Sequence, residues 1–130
     1  MECQESKRGE VQIFELAGKL MGDKACEEIV HRVDDLIAGG LRYLVVDMAR
    51  VRWMNSQATA HLIMCLTKLR RVGGDLRLSG VAGKVEYYMR LTKLDTVIQT
   101  FASIDAAVSS YTGSPDTERG AAYPSASVAA

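Results

Sequence analysis

The chain carries no surplus of either charge: sixteen lysine and arginine residues balance sixteen aspartate and glutamate residues over 130 positions. A nucleic-acid binder shows a basic excess or a basic stripe, and neither is visible, so no nucleic-acid partner is expected. Long apolar runs are missing too. No stretch approaches the roughly 20 apolar residues needed to cross a bilayer. The first eight residues, Met-Glu-Cys-Gln-Glu-Ser-Lys-Arg, lack the apolar core of a signal peptide. The expected location is cytoplasmic, without direct membrane insertion. Cysteine is sparse: Cys3, Cys26 and Cys65 are odd in number, far apart and without metal or redox spacing. Cys26 and Cys65 fall on expected helices and read as small core residues. No metal and no cofactor are expected.

The constellations of a single-domain enzyme are also missing. There is no Gly-x-x-x-x-Gly-Lys phosphate loop and no Gly-x-Gly-x-x-Gly fingerprint. Gly39-Gly40 and Gly73-Gly74 follow helices rather than begin them, so neither pair can cradle a phosphate on a helix N-terminus. His31 and His61 fall mid-helix and read as helix-surface residues. His61 is five positions after Ser56, off its face, and no carboxylate stands ready to orient it for a Ser–His nucleophile. Glu27-Glu28 and Asp34-Asp35 read as a solvated helix face rather than acid–base pairs. The chain is expected not to be an enzyme.

What remains is an ordinary globular composition, 48% apolar and 25% charged, in a chain long enough for one domain with its own core. Its organising stretch is Tyr43 to Leu66. Residues 43–46 form a short apolar run with two valines, the pattern of a buried strand. From Ser56 on, Leu62, Ile63, Leu66 and Leu69 recur at helical spacing. Between these segments stand Asn55 and Ser56, two good helix N-caps in succession. A hydroxyl is thus delivered at a helix start, where unpaired N–H groups and the helix dipole favour negative charge.

In chain order, residues 1–9 are polar and expected to be loose. Residues 10–16 read as a strand and Gly18 to Asp23 as a loop. Asp23 caps a helix over 24–38, with Cys26, Ile29, Val30, Val33, Leu36 and Ile37 as its apolar stripe. After the strand at 43–47, residues 48–53 read as a linker with Val51, Trp53 and Met54 turned inward. A helix over 56–72 follows. Residues 75–79 alternate in polarity, so a strand with one solvated face is expected there. A helix over 82–91, a strand over 97–101 and a helix from Ser103 to about residue 111 complete the domain. Residues 112–130 carry too little apolar surface to offset ordering entropy and are expected to be a disordered tail. Strands alternating with helices argue an α/β domain over 10–111: a mixed, mostly parallel sheet of four to five strands with about four helices packed on it.

Five segments carry a family likeness. Leu16-Ala17-Gly18-Lys19-Leu20 is similar to a Leu-Thr-Gly-Glu-Leu motif, and Val45-Val46-Asp47-Met48 before Val51 to an apolar strand ending in Asp-Leu. Trp53-Met54-Asn55-Ser56-Gln57-Ala58 stands where the pattern has Phe-Met-Asp-Ser-Ser-Gly. Gly73-Gly74-Asp75-Leu76 is similar to Gly-Gly-Glu-Leu, and Leu91-Thr92-Lys93-Leu94 matches the approach to the final strand. In this order the segments resemble the STAS domain, and within it the bacterial anti-sigma factor antagonists. The resemblance implies a cytoplasmic signalling protein in transcription regulation that binds an anti-sigma factor serine kinase. Phosphorylation falls on Ser56 by position, a serine phosphatase reverses it, and the partner surface includes Gly18, Leu20, Asp23, Asn55 and Ser56. A monomer or weak dimer is expected. Asn55, Gln57 and Ala58 depart from the pattern's aspartate, serine and glycine. The alternatives are a non-phosphorylated STAS adaptor, either of a lipid-transport ABC complex or of a stress-signalling scaffold, and an enzyme with Ser56 as nucleophile. For Ser56 itself, a plain N-cap role competes with that of phosphoacceptor, and Thr59 is a second candidate acceptor.

Overall fold

The computed structural model describes residues 1–112. In chain order the elements are β1 (Glu2–Arg8), β2 (Val11–Leu20), α1 (Lys24–Ala38), β3 (Tyr43–Met54), α2 (Ser56–Arg71) and β4 (Asp75–Ser79). They are followed by α3 (Gly83–Leu91), a 3-10 turn (Leu94–Thr96), β5 (Thr100–Phe101) and α4 (Ile104–Thr112). Five strands form one sheet in the order β1-β2-β3-β4-β5. β1 runs antiparallel to β2, and the remaining pairs are parallel. The mixed, mostly parallel sheet with four helices is therefore present.

Because the parallel strands step across the sheet in one direction, right-handed crossovers deliver α1, α2 and α3 to one face. There Cys26, Val30 and Val33 of α1, Leu62, Cys65, Leu66 and Leu69 of α2, and Val85 and Met89 of α3 pack on Phe14, Leu44, Val46, Leu76 and Leu78. Strand period puts Val11, Ile13 and Val45 on the opposite face, under Ala107 and Val108 of α4. Side chains one residue apart in β3, Leu44 and Val45, are both fully buried, one on each face. Among the described residues, no helix is long and apolar enough to cross a membrane.

The first helix forms as its sequence dictates: Asp23 caps it by accepting the Cys26 N–H (3.4 Å), and the chain turns out at Gly39. Gly74 is required by close approach, because a Cβ there would lie 1.8 Å from the Arg42 carbonyl oxygen. That contact lets Asp75 donate to Arg42 (2.9 Å) and enter the sheet beside Tyr43.

Several expectations give way. Residues 1–9 are not loose: Glu2–Arg8 pairs along its whole length with β2, from Glu2 opposite Ala17 to Arg8 opposite Val11. Backbone pairing orders this segment even though all seven side chains are exposed. The strand after it does not end at residue 16 but continues through Gly18 to Leu20, so the connection to α1 is short. The linker at 48–53 belongs to β3, which runs unbroken to Met54. Pairing shifts register between Glu15 and Ala17 and again between Gly18 and Lys19, so β3 carries extra residues there. Val51 and Met54 point inward with two residues between them, and Trp53 is 43% exposed rather than buried.

No residue of β4 is solvated. Asp75, Arg77 and Ser79 are buried along with their apolar neighbours, because α4 covers the face that the alternation assigned to water. The last strand is only Thr100–Phe101, since residues 94–96 take a 3-10 turn. Ser103 caps α4 as expected, accepting the Ala106 N–H at 3.1 Å. Of the expected disordered tail at 112–130, Thr112 ends α4 and the remainder lies outside the described residues.

Candidate functional site

Ser56 opens α2 directly after β3, at the carboxyl end of the central strand. Functional surfaces of open parallel sheets gather at that end. The cap of α2 is Asn55: its Oδ1 accepts the Ala58 N–H at 2.9 Å, while the residue itself stays extended. Ser56 is therefore the first helical residue and not the cap. Its side chain is exposed and makes no hydrogen bond among the described residues. The plain capping role weighed for this serine belongs to its neighbour.

The same asparagine ties the helix start to the loop after β2. Its Nδ2 donates to the Met21 carbonyl (3.0 Å), and its backbone N–H donates to the Leu20 carbonyl (3.2 Å). Gly22 lies against the first turn of α2, where a Cβ would come within 2.2 Å of the Gln57 Cβ. Any side chain at Gly22 would push this loop off the helix. Asp23 follows at once and starts α1, so two helix N-termini lie at either end of one short loop.

Of the residues expected to form the surface, Leu20, Asp23, Asn55 and Ser56 are thus brought together, and Gly18 is not. Gly18 sits on β2 opposite Val51, next to Met1 and beside an open pocket that Arg50 and Arg52 also line. Leu20 is 2% exposed, so its side chain belongs to the core and only its carbonyl serves the site. Sequence reasoning missed Met21, Gly22 and Trp53. The glycine before Asp23 was the available signal for Gly22. Met21 and Trp53 are large apolar side chains exposed at the ends of two paired strands. On α2, Ser56, Ala60 and Met64 share one helix face, all exposed.

The alternative acceptor Thr59 is half-buried. Its Oγ1 donates to the Asn55 carbonyl (3.1 Å) and lies 3.2 Å from the Tyr88 hydroxyl of α3, which fixes the first turn of α2 against a second helix. His61, expected on the helix surface, is half-buried instead. Its Nδ1 is enclosed without a hydrogen-bond partner among the described residues, and the residue lines a small apolar cavity of about 20 Å³ shared with Cys26, Val30, Leu62 and Cys65. Burial pushes the Cys65 thiol up to about 12, helped by Asp34, so it stays protonated and unreactive at neutral pH. No cluster of metal-ligating side chains forms among the described residues.

Electrostatically, the first turn of α2 holds no acidic residue, while Lys68, Arg70 and Arg71 fill its last turn. The positive end of the helix dipole is therefore uncompensated at Ser56. An added negative group would find N–H donors there and no carboxylate of the same turn to repel it.

The model of the STAS domain family matches residues 4–107. Among solved structures, the anti-sigma factor antagonist SpoIIAA in its unphosphorylated form is similar at a TM-score of 0.69 and 17% identity, covering 87% of this chain and 100% of that one. An anti-sigma factor antagonist from Mycobacterium paratuberculosis is similar at 0.70 and 17% identity, with 83% and 91% covered. A sulfate transporter family protein from Wolinella succinogenes is similar at 0.63 and 20% identity, with 77% and 83% covered. No curated protein matches the sequence.

Proposed function

The chain belongs to the STAS domain family, and on that premise we propose that it is an anti-sigma factor antagonist-like partner-switching protein. Its partner is a serine kinase that doubles as an anti-sigma factor, and its switch is phosphorylation of Ser56, reversed by a serine phosphatase. The chain acts in the cytoplasm as a binding protein rather than as an enzyme. The observation that carries this reading is the state of Ser56. Its hydroxyl is exposed and unbonded at the first position of a helix that Asn55 already caps. The serine has no structural task that accounts for it.

A phosphate there adds about −1.5 to −2 charge and three acceptor oxygens. The helix N-terminus accommodates that charge, so the fold survives. The same group adds charge and bulk beside exposed Met21 and Trp53, in the middle of a surface suited to bury apolar area on a partner. The unmodified form therefore binds, and the modified form does not.

The test compares Ser56→Ala with Ser56→Asp for binding to the partner kinase by titration calorimetry. Ser56→Ala should bind like wild type and Ser56→Asp at least about tenfold more weakly, the loss expected for one charge in a desolvated contact. Unchanged melting of both variants would assign the effect to the surface. Equal binding by both would overturn the switch. A second reading, a STAS adaptor that is never phosphorylated, draws on the replacement of acidic and small residues by Asn55, Gln57 and Ala58. Recovery of an ATPase subunit in place of a kinase from the native host would favour it.

A further inference from the structure

The sheet has one long open edge. β1 ends the strand order, and all seven of its residues are exposed. The opposite edge, β5, is two residues long. An open edge offers a row of unpaired N–H and C=O groups to any strand that fits it. β1 contains neither proline nor a register shift, two common means of blocking such an edge.

Its charges are divided along its length: Glu2 and Glu5 stand in the first part, Lys7 and Arg8 at the end. An antiparallel copy of the same strand therefore sets opposite charges against each other at both ends, Glu2 against Arg8. The geometry points to a homodimer in which β1 pairs with β1 of a second copy about a two-fold axis at Glu5, joining two five-stranded sheets into one. In that register Glu2 faces Arg8 of the other copy, at both ends of the pairing. Cys3 faces Lys7, Gln4 faces Ser6, and Glu5 faces Glu5.

The two-fold axis stands perpendicular to the sheet, so opposed residues must share a face. Glu2 and Arg8 do so by strand period. Contacts already made within one copy agree with that alternation. Arg8 reaches Asp105 of α4 on one face, and Glu5 reaches Arg32 of α1 on the other. The central Glu5 pair is not two bare charges. Each carboxylate accepts three hydrogen bonds from its own Arg32, at 3.0 to 3.1 Å. A slide of two residues toward Met1 would lose both Glu2–Arg8 pairs. Pairing through β1 closes the assembly at two copies, since among the described residues no second edge of similar length remains for a third. Ser56 opens α2 at the carboxyl end of β3, two strands in from the paired edge, so its exposed hydroxyl is not part of the pairing.

Sedimentation equilibrium of the full chain, with and without added salt, reads the association. Wild type should pass from monomer to dimer as concentration rises, and more weakly in high salt. Glu2→Arg and Arg8→Glu, each alone, set like charges opposite one another at both ends and should weaken dimerisation about tenfold or more. Mixing the two variants restores opposite charges at both ends and should restore a dimer of wild-type strength. Circular dichroism melts check that the loss of the Arg8–Asp105 contact has not unfolded either variant. A wild type that stays monomeric up to millimolar protein would overturn the proposal. So would single variants that dimerise like wild type, or folded variants whose mixture gains nothing.

Discussion

On one face of the sheet, three helices bury Phe14, Leu44, Val46, Leu76 and Leu78 in a continuous apolar layer. On the other face, the nine-residue α4 covers a much smaller apolar cluster and completes it with polar contacts. There the Arg77 guanidinium donates to the Ser110 carbonyl (2.8 Å) and hydroxyl (2.6 Å) and to Asp75 (3.2 Å). It also lies 4.1 Å from the centre of the Tyr111 ring. Asp75 accepts a further bond from Arg70 (3.1 Å), and Tyr111 donates to the Leu44 carbonyl (3.0 Å). The first face is stabilised by area removed from water, which is non-directional. The second depends on the placement of a few donors. A small helix can be held firmly if its polar groups are all satisfied, and it fails abruptly if one is not.

The largest expected effect breaks the apolar face. Phe14→Ala removes a ring that is fully buried and should cost about 4 kcal/mol, read as a shift in the denaturant midpoint. On the same face a volume-conserving change such as Leu66→Met should cost less than about 1.5 kcal/mol, because area rather than geometry is at stake. A loss as large as that of Phe14→Ala would erase the contrast.

Arg77→Lys sharpens the other side. It keeps the charge, but a single ammonium cannot bond Asp75, bond Ser110 and stack on Tyr111 together. A loss of about 3 kcal/mol is expected, close to that of Arg77→Ala, since either change leaves buried groups of Asp75 and Ser110 short of partners. Full retention of stability in Arg77→Lys would contradict a directional role for the guanidinium.

The smallest effect appears only in alkali and touches both faces. Burial raises the Cys65 thiol, on the three-helix face, from its ordinary 9 to about 12, and raises the Tyr111 hydroxyl, on the α4 face, well above its ordinary 10. Both groups stay neutral in the folded chain and ionise more readily in the unfolded one. The stability they contribute is complete below the unfolded value and is lost as pH rises through the folded value. Melting temperature should therefore decline from about pH 9 upward. The decline should be shallower in Cys65→Ala and, beginning near pH 10, in Tyr111→Phe. Parallel curves for wild type and both variants would remove these groups as the cause.

The α1 stripe and the Asp23 cap were legible because 3.6-residue periodicity and side-chain capping are local properties. Asp75 to Ser79 was read correctly as a strand and wrongly as half-solvated. Alternation reports two chemical faces, but it cannot tell that a distant helix brings Ser110 and Tyr111 to meet Arg77. Trp53 was misplaced because register shifts depend on a partner strand. Within the candidate site, a capping residue and a hydroxyl at the start of α2 were legible. Which of Asn55 and Ser56 caps is decided by the loop from β2, whose Met21 carbonyl holds the Asn55 amide. Leu20 matched a motif yet points into the core, since a motif gives position and not direction.

The sequence by itself determined the helices, the central buried strand, the glycine stops and the presence of a hydroxyl where β3 hands over to α2. Each of these follows from interactions within one turn or one strand. The tertiary structure alone decided that the polar N-terminal segment is a strand, that β4 is buried on both faces, and that Ser56 is left free while Asn55 caps. These outcomes depend on hydrogen bonds and burial between separate elements of the fold, whose partners no local pattern can specify.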